Sequence, residues 1–223
     1  FFSSDMSAPR LLVFSSGTKD GGGSGLRELL RNARTGVLHA TIVAVVSNHA
    51  EGGVFHVAQQ YQVPFMHFTG PFNAEEYQKI IEVHGAEWVA LSGWLKLAAG
   101  LDPQRTINIH PGPLPRFGGK GMYGKHVHAA VVEAFKAGEV TTSHVTMHFV
   151  TPQYDEGPVI FRYPILVEEG DDGPALGERV NKVEHGWQSY ITNLVVNGLI
   201  SWDGKDPKSL KVPEGYQFLE AKY

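Results

Sequence analysis

No cysteine occurs among the 223 residues. That excludes a disulfide scaffold and a thiolate nucleophile, and it permits a reducing compartment. Long apolar runs are missing too: nothing approaches the roughly 18 residues needed to cross a bilayer. The opening Phe1-Phe2-Ser3-Ser4-Asp5-Met6 lacks a basic segment followed by an apolar one. A cytoplasmic protein without membrane association is the expectation, with residues 1–9 as an N-terminal tail. Basic runs are also absent, for 19 Lys and Arg stand against 23 Asp and Glu, a net charge of −4. This argues against a nucleic-acid surface and requires any anionic ligand to be held locally. The eleven histidines are scattered, and His110, His126, His128, His144 and His148 lack zinc-site spacing, so no metal is expected. Without repeats, linkers or low-complexity tracts, the length suits a single domain over residues 1–223.

What is present is an alternation of short apolar runs and amphipathic stretches. Residues 11–16 and 40–46 read as buried strands, each followed by a helix, at 26–34 and 54–61. Asn73-Ala74-Glu75-Glu76 resembles a capping box opening a helix that ends at Gly85. Residues 88–92 and 105–110 are further strands. Residues 144–150 and 159–167 are strands joined by a loop too short for a helical crossover, so an antiparallel pair is expected there. A last helix covers 174–197, and Trp202-Asp203-Gly204-Lys205 reads as a hairpin turn. The fold class is α/β: a doubly wound, mostly parallel sheet with an antiparallel C-terminal extension.

The segment Asn108-Ile109-His110-Pro111-Gly112-Pro113-Leu114-Pro115 carries the chemistry. Strand residues at i and i+2 share a face, so Asn108 and His110 converge, and the prolines end the strand at His110. The pair then lies at a strand's carboxyl end, where open α/β sheets bind ligands. A neutral amide that donates to a developing oxyanion, beside an imidazole that supplies charge or a proton, suits acyl transfer. Asp155, in Tyr154-Asp155-Glu156-Gly157, is the carboxylate expected to orient His110 and keep it charged. Alone, an Asn or a His at a strand end is more often structural. The three together point to a site.

Between the first strand and helix lies Ser16-Gly17-Thr18-Lys19-Asp20-Gly21-Gly22-Gly23-Ser24-Gly25. Its glycines let amides approach an anion, and the helix that follows adds its dipole, so the segment suits a phosphate. It matches neither the dinucleotide fingerprint nor the P-loop. A flexible connection with no ligand is the alternative. Lys120-Gly121-Met122-Tyr123-Gly124-Lys125-His126 is either a mobile lid or a set of turns.

Four stretches in order resemble the folate-dependent formyltransferases over residues 11–216. They are the segment from Asn108 to Pro115, Thr146-Met147-His148-Phe149-Val150, Asp155-Glu156-Gly157-Pro158-Val159-Ile160, and Arg179-Val180-Asn181-Lys182-Val183-Glu184-His185. The resemblance implies a Rossmann-like formyltransferase fold. It implies transfer from the co-substrate 10-formyltetrahydrofolate to the primary amine of glycinamide ribonucleotide, in purine biosynthesis, by a monomer or homodimer. It places the ribonucleotide phosphate against Gly23, Ser24 and Gly25, where Gly25 replaces the family's Asn, and it places Asn181 and Glu184 on the rest of that substrate. Leu95, Lys96, Leu97 and Ala98 are implied to present backbone to the folate ring, with Asn108. Thr151, Pro152, Gln153, Tyr154 and Asp155 form the opposite wall. A formyltetrahydrofolate hydrolase, an amino-sugar nucleotide formyltransferase and a non-enzymatic nucleotide-binding module are the alternatives.

Overall fold

Leu11, Leu12, Val13 and Phe14 are inaccessible on both faces of the first strand, so layers must cover it from either side. The computed structural model, which describes residues 7–219, supplies them. One seven-stranded sheet has the order β3-β2-β1-β4-β5-β6-β7. Its strands are β1 (Arg10–Phe14), β2 (Thr41–Ser47), β3 (Phe65–His67), β4 (Trp88–Ser92), β5 (Thr106–His110), β6 (Thr142–Phe149) and β7 (Val159–Leu166). Pairings from β3 across to β5 are parallel, whereas β5–β6 and β6–β7 are antiparallel. The doubly wound sheet and its antiparallel extension are therefore as the sequence implies.

Five helices flank it: α1 (Ser24–Thr35), α2 (Gly53–Tyr61), α3 (Ala74–His84), α4 (Lys125–Lys136) and α5 (Gly173–Val196). On one side Leu11 and Val13 share a core with Leu26 and Leu29 of α1, Val131 of α4 and Val180 of α5. On the other, Leu12 and Phe14 pack with Tyr77 and Ile80 of α3 and with Trp94. Asn73 caps α3 by accepting from the Glu76 amide at 3.0 Å, and Gly85 ends the helix in a left-handed conformation. Among the described residues no helix is long and apolar enough to cross a membrane.

Two elements were not anticipated. β3 is only three residues long, too short to show a period, and the glycine-rich run before α4 hides that helix's start. The hairpin turn at 202–205 is corrected. Ser201 pairs with Lys211 across a wider loop in which Asp203 Oδ1 accepts from the Lys205 and Asp206 amides, followed by a short 3-10 turn, Pro207–Ser209. Local side-chain acceptors of this kind compete with tight turns. Of the expected N-terminal tail, residues 1–6 lie outside the described residues. Pro9 already extends the pairing of β1 with β2, since its carbonyl accepts from the Thr41 amide at 2.8 Å.

From β1 the chain moves outward to β2 and β3, then returns to place β4 on β1's other side. The loops leaving β1 and β4 diverge at this reversal and open a crevice, the usual ligand position in such sheets.

Candidate active site

Asn108 and His110 share one face of β5 because side chains alternate along a strand, Ile107 and Ile109 taking the core side. Beside it, the antiparallel register of β6 sets His148 opposite Asn108 and Thr146 opposite His110. Opposed residues touch. Asn108 Nδ2 lies 3.0 Å from His148 Nε2. Thr146 Oγ1 donates to the Gly112 carbonyl at 2.8 Å, pinning the proline loop, which curls back to set the Phe117 carbonyl 2.8 Å from His110 Nε2.

Backbone carbonyls settle where the protons sit on both rings. A carbonyl only accepts, so His110 carries hydrogen on Nε2 toward Phe117, and His148 on Nδ1 toward the Phe149 oxygen at 2.8 Å. His110 Nδ1 is therefore the nitrogen that gains or loses a proton. It faces Asp155 Oδ2 at 3.7 Å. His148 Nε2 accepts from the Asn108 amide, whose other contact is Asp155 Oδ1 at 3.4 Å. Asp155 reaches the group from the loop after β6 in a left-handed conformation, φ 57°, with Oδ2 accepting the Gly119 amide at 2.9 Å.

Burial is the largest influence on His110 and pushes its pKa down; the Asp155 charge and the Phe117 carbonyl push it up without cancelling that effect. The expectation that Asp155 keeps His110 charged is thus corrected. Desolvation of a nearly inaccessible ring outweighs a carboxylate at 3.7 Å. Burial would by itself raise the Asp155 pKa, but the Gly119 amide and the His148 and His110 rings, which favour the carboxylate when either takes a proton on the nitrogen that faces it, hold it below the ordinary carboxylate value.

These four side chains line a cleft of about 850 Å³, within the size range of small-molecule sites. Gly23, Ser24 and Gly25 line it at the start of α1, and Asn181 and Glu184 reach it from α5. Leu95, Leu97 and Ala98 line it after β4, and Thr151, Gln153 and Tyr154 beside Asp155. Two expected folate contacts do not. Lys96 lays its ammonium over the Phe72 ring, 5.3 Å from its centroid, and Pro152 is exposed outside the cleft. Each sits at a bend between two residues that do face the cleft.

Gly23, at φ 82°, precedes α1 and offers no side-chain cap, so the first amides of the helix face outward for a ligand. The long glycine loop is not loose. Thr18 and Gly21 pair across it, and Gly53 packs so closely that an added Cβ would lie 2.3 Å from the Gly22 oxygen. Glu184 accepts from Asn181 Nδ2 at 3.2 Å, yet burial pushes its carboxyl pKa up to about 7. Residues 119–124 form a wall of the cleft, turned by bonds from the Met122 amide to Gly119 and from the His126 amide to Tyr123. Among the described residues, no cluster of three or more His, Cys, Asp or Glu is arranged to hold a metal ion.

Sequence reasoning missed His148, His128 and Gln188, all of which line the cleft. For His148 a signal existed: His144, Thr146 and His148 recur at the strand period, which marks a polar face opposite Val145 and Met147.

A family model described as formyl transferase matches residues 9–194. The chain belongs to the formyl transferase family. It is 30% identical over 193 residues to the phosphoribosylglycinamide formyltransferase of Bacillus subtilis, covering 82% of this chain and 92% of that protein. To the chloroplastic phosphoribosylglycinamide formyltransferase of Arabidopsis thaliana it is also 30% identical, over 86% of this chain and 67% of the plant protein. Its counterpart in Vigna unguiculata is 31% identical, and this chain spans 62% of that protein's length. The crystal structure of glycinamide ribonucleotide transformylase 1 from Symbiobacterium toebii superposes with a TM-score of 0.77 at 26% identity, covering 92% and 94% of the two chains. Because plant family members are chloroplastic by name, membership gives the expected cytoplasmic location no support.

Proposed function

We propose that this formyl transferase moves the formyl group of 10-formyltetrahydrofolate onto the primary amine of glycinamide ribonucleotide, in purine biosynthesis. The observation that carries this reading is the meeting of Asn108, His110, His148 and Asp155 in a cleft that an uncapped helix start also lines. That helix start suits the phosphate of the acceptor. Glu184 suits its amine end, since a nearby cation returns a carboxyl of raised pKa to its charged form. The apolar Leu95, Leu97 and Ala98 suit a flat ring.

In the reaction the neutral amine attacks the formyl carbon and the formyl oxygen becomes an oxyanion. The Asn108 hydrogen now shared with Asp155 across 3.4 Å is the weaker of its two bonds and turns to that oxygen. The proton that the attacking nitrogen loses passes to Asp155 and on to His110 Nδ1, neutral in the free protein and 3.7 Å from Oδ2, so that positive charge grows beside the oxyanion. Collapse of the oxyanion expels the tetrahydrofolate nitrogen, which takes that proton from His110 Nδ1 as it leaves, and completes the transfer without a covalent enzyme intermediate. Holding both substrates in one cleft supplies much of the acceleration. These groups come from strands of one sheet and from a loop and helices joined to it, which supports reading residues 1–223 as one catalytic domain.

Donor deformylation is the test, followed with glycinamide ribonucleotide, with an amino-sugar nucleotide, and with no acceptor. Turnover that requires the ribonucleotide and yields its formylated product is the expected result. Equal turnover without acceptor makes the protein a hydrolase and removes the proposal.

A further inference from the structure

Gln188 of α5 is only 2% exposed, yet it lines the cleft and has no part in the chemistry above. Its Oε1 accepts from Ser92 Oγ at 3.4 Å, and among the described residues its Nε2 donates to no protein group. Nε2 is not among the fully buried atoms that lack a partner, so this enclosed carboxamide keeps its donor open to the cleft.

The position of this carboxamide is held from three sides. Next to it, Ser189 Oγ accepts from Asn32 Nδ2 at 2.9 Å and donates to the Glu28 carbonyl at 3.4 Å. Further along, Asn193 Oδ1 accepts from the His39 amide at 2.8 Å, so α5 is locked to α1 and the segment after it. Gly25, the second residue of α1, leaves the room. A Cβ there would lie 2.8 Å from Ser92 Oγ and 3.0 Å from Gln188 Oε1. The carboxamide thus stands against the first turn of α1, where Gly23 leaves the helix amides uncapped. Among the described residues lining the cleft there is no arginine, and the sole lysine, Lys120, belongs to the loop between β5 and α4. An anion at the start of α1 must be held by neutral donors.

We infer that Gln188 is a binding residue for a phosphate monoester seated at the start of α1, donating from Nε2 to a phosphoryl oxygen beside the backbone amides. The inference rests on the proposed function only in taking that monoester to be the acceptor ribonucleotide.

The test titrates inorganic phosphate, glycinamide ribonucleotide and the formyl donor separately into the whole chain, as wild type and as Gln188→Leu and Gln188→Glu. Gln188→Leu weakens phosphate and ribonucleotide roughly ten- to hundred-fold, the range for one hydrogen bond to a charged group. Gln188→Glu, isosteric but anionic, weakens them more. Donor affinity and turnover at saturating ribonucleotide stay near wild type. Gly25→Asn combined with Gln188→Ala returns a carboxamide to the same space from α1 and recovers part of the loss. Unchanged phosphate affinity in both single variants overturns the inference, as does an equal loss for the donor. A wild type that binds phosphate and ribonucleotide but transfers no formyl group overturns the proposed reaction and leaves the Gln188 assignment standing.

Discussion

Where β1 meets α1 the cleft is lined by Gly23, Ser24 and Gly25, residues that present mostly backbone; where β5 meets β6 it is lined by Asn108, His110 and His148, which present side chains. On the proposed reading the first region recognises charge through amides that any small residue supplies, so its demand on the sequence is for absence of bulk. The second demands particular atoms at particular distances: a carbonyl 2.8 Å from each imidazole and an amide shared between a histidine and a carboxylate. Substitutions in the two regions should therefore fail in different ways.

The largest effect belongs to the side-chain region. His110→Ala or Asp155→Ala is expected to cut turnover by roughly two to four orders of magnitude while ribonucleotide affinity and the fold persist. His148→Ala should cost less, roughly ten- to hundred-fold in turnover, because it removes the acceptor that aims Asn108 rather than a proton carrier. Steady-state kinetics on folded variants checks both, and near-normal turnover in His110→Ala would remove the mechanism.

Glu184 gives the next effect, and it appears in stability. Its carboxyl pKa is raised from 4.5 to about 7, so the neutral form favours the folded state. That contribution is complete below about pH 4.5 and is lost as pH rises through about 7, because the folded protein then must ionise a desolvated carboxyl. At about 1.4 kcal/mol per unit, reduced for the edge that opens on the cleft, wild type should lose about 1–3 kcal/mol across this window relative to Glu184→Gln. Buried histidines with lowered pKa, His110 and His128 among them, titrate in the opposite sense, and taking the difference between the two proteins cancels them. Parallel melting curves for both proteins from pH 4.5 to 8 would show that Glu184 ionises normally.

The smallest effect belongs to the backbone region. Gly53→Ala pushes a methyl toward the Gly22 oxygen and displaces the loop ahead of α1. Ribonucleotide affinity should fall by roughly tenfold, the worth of about one hydrogen bond, with turnover at saturation unchanged. A fall in turnover instead would show that the two regions are mechanically coupled.

Much of this was legible in the chain. The alternation of buried strands and amphipathic helices, the cap at Asn73 and the spacing that puts Asn108 and His110 on one face are local, set by periods of 2 and 3.6 residues. Proline at 111 marks where β5 stops for the same local reason. His148 was present in a recognisable strand, but its place beside Asn108 depends on the antiparallel register of β6, which pairs residues 40 apart. Gln188 meets Gly25 across a helix–helix contact that no spacing within α5 announces.

By itself, then, the sequence determined the elements, the α/β order and which side chains were available for acyl transfer, because each of these follows from neighbours a few residues apart. Tertiary structure decided the charge state of His110, the tautomers of both histidines and the raised pKa of Glu184. Those properties come from desolvation and from carbonyls delivered by turns of the chain around each ring, and a linear string of residues does not say how deeply a group is buried or what faces it.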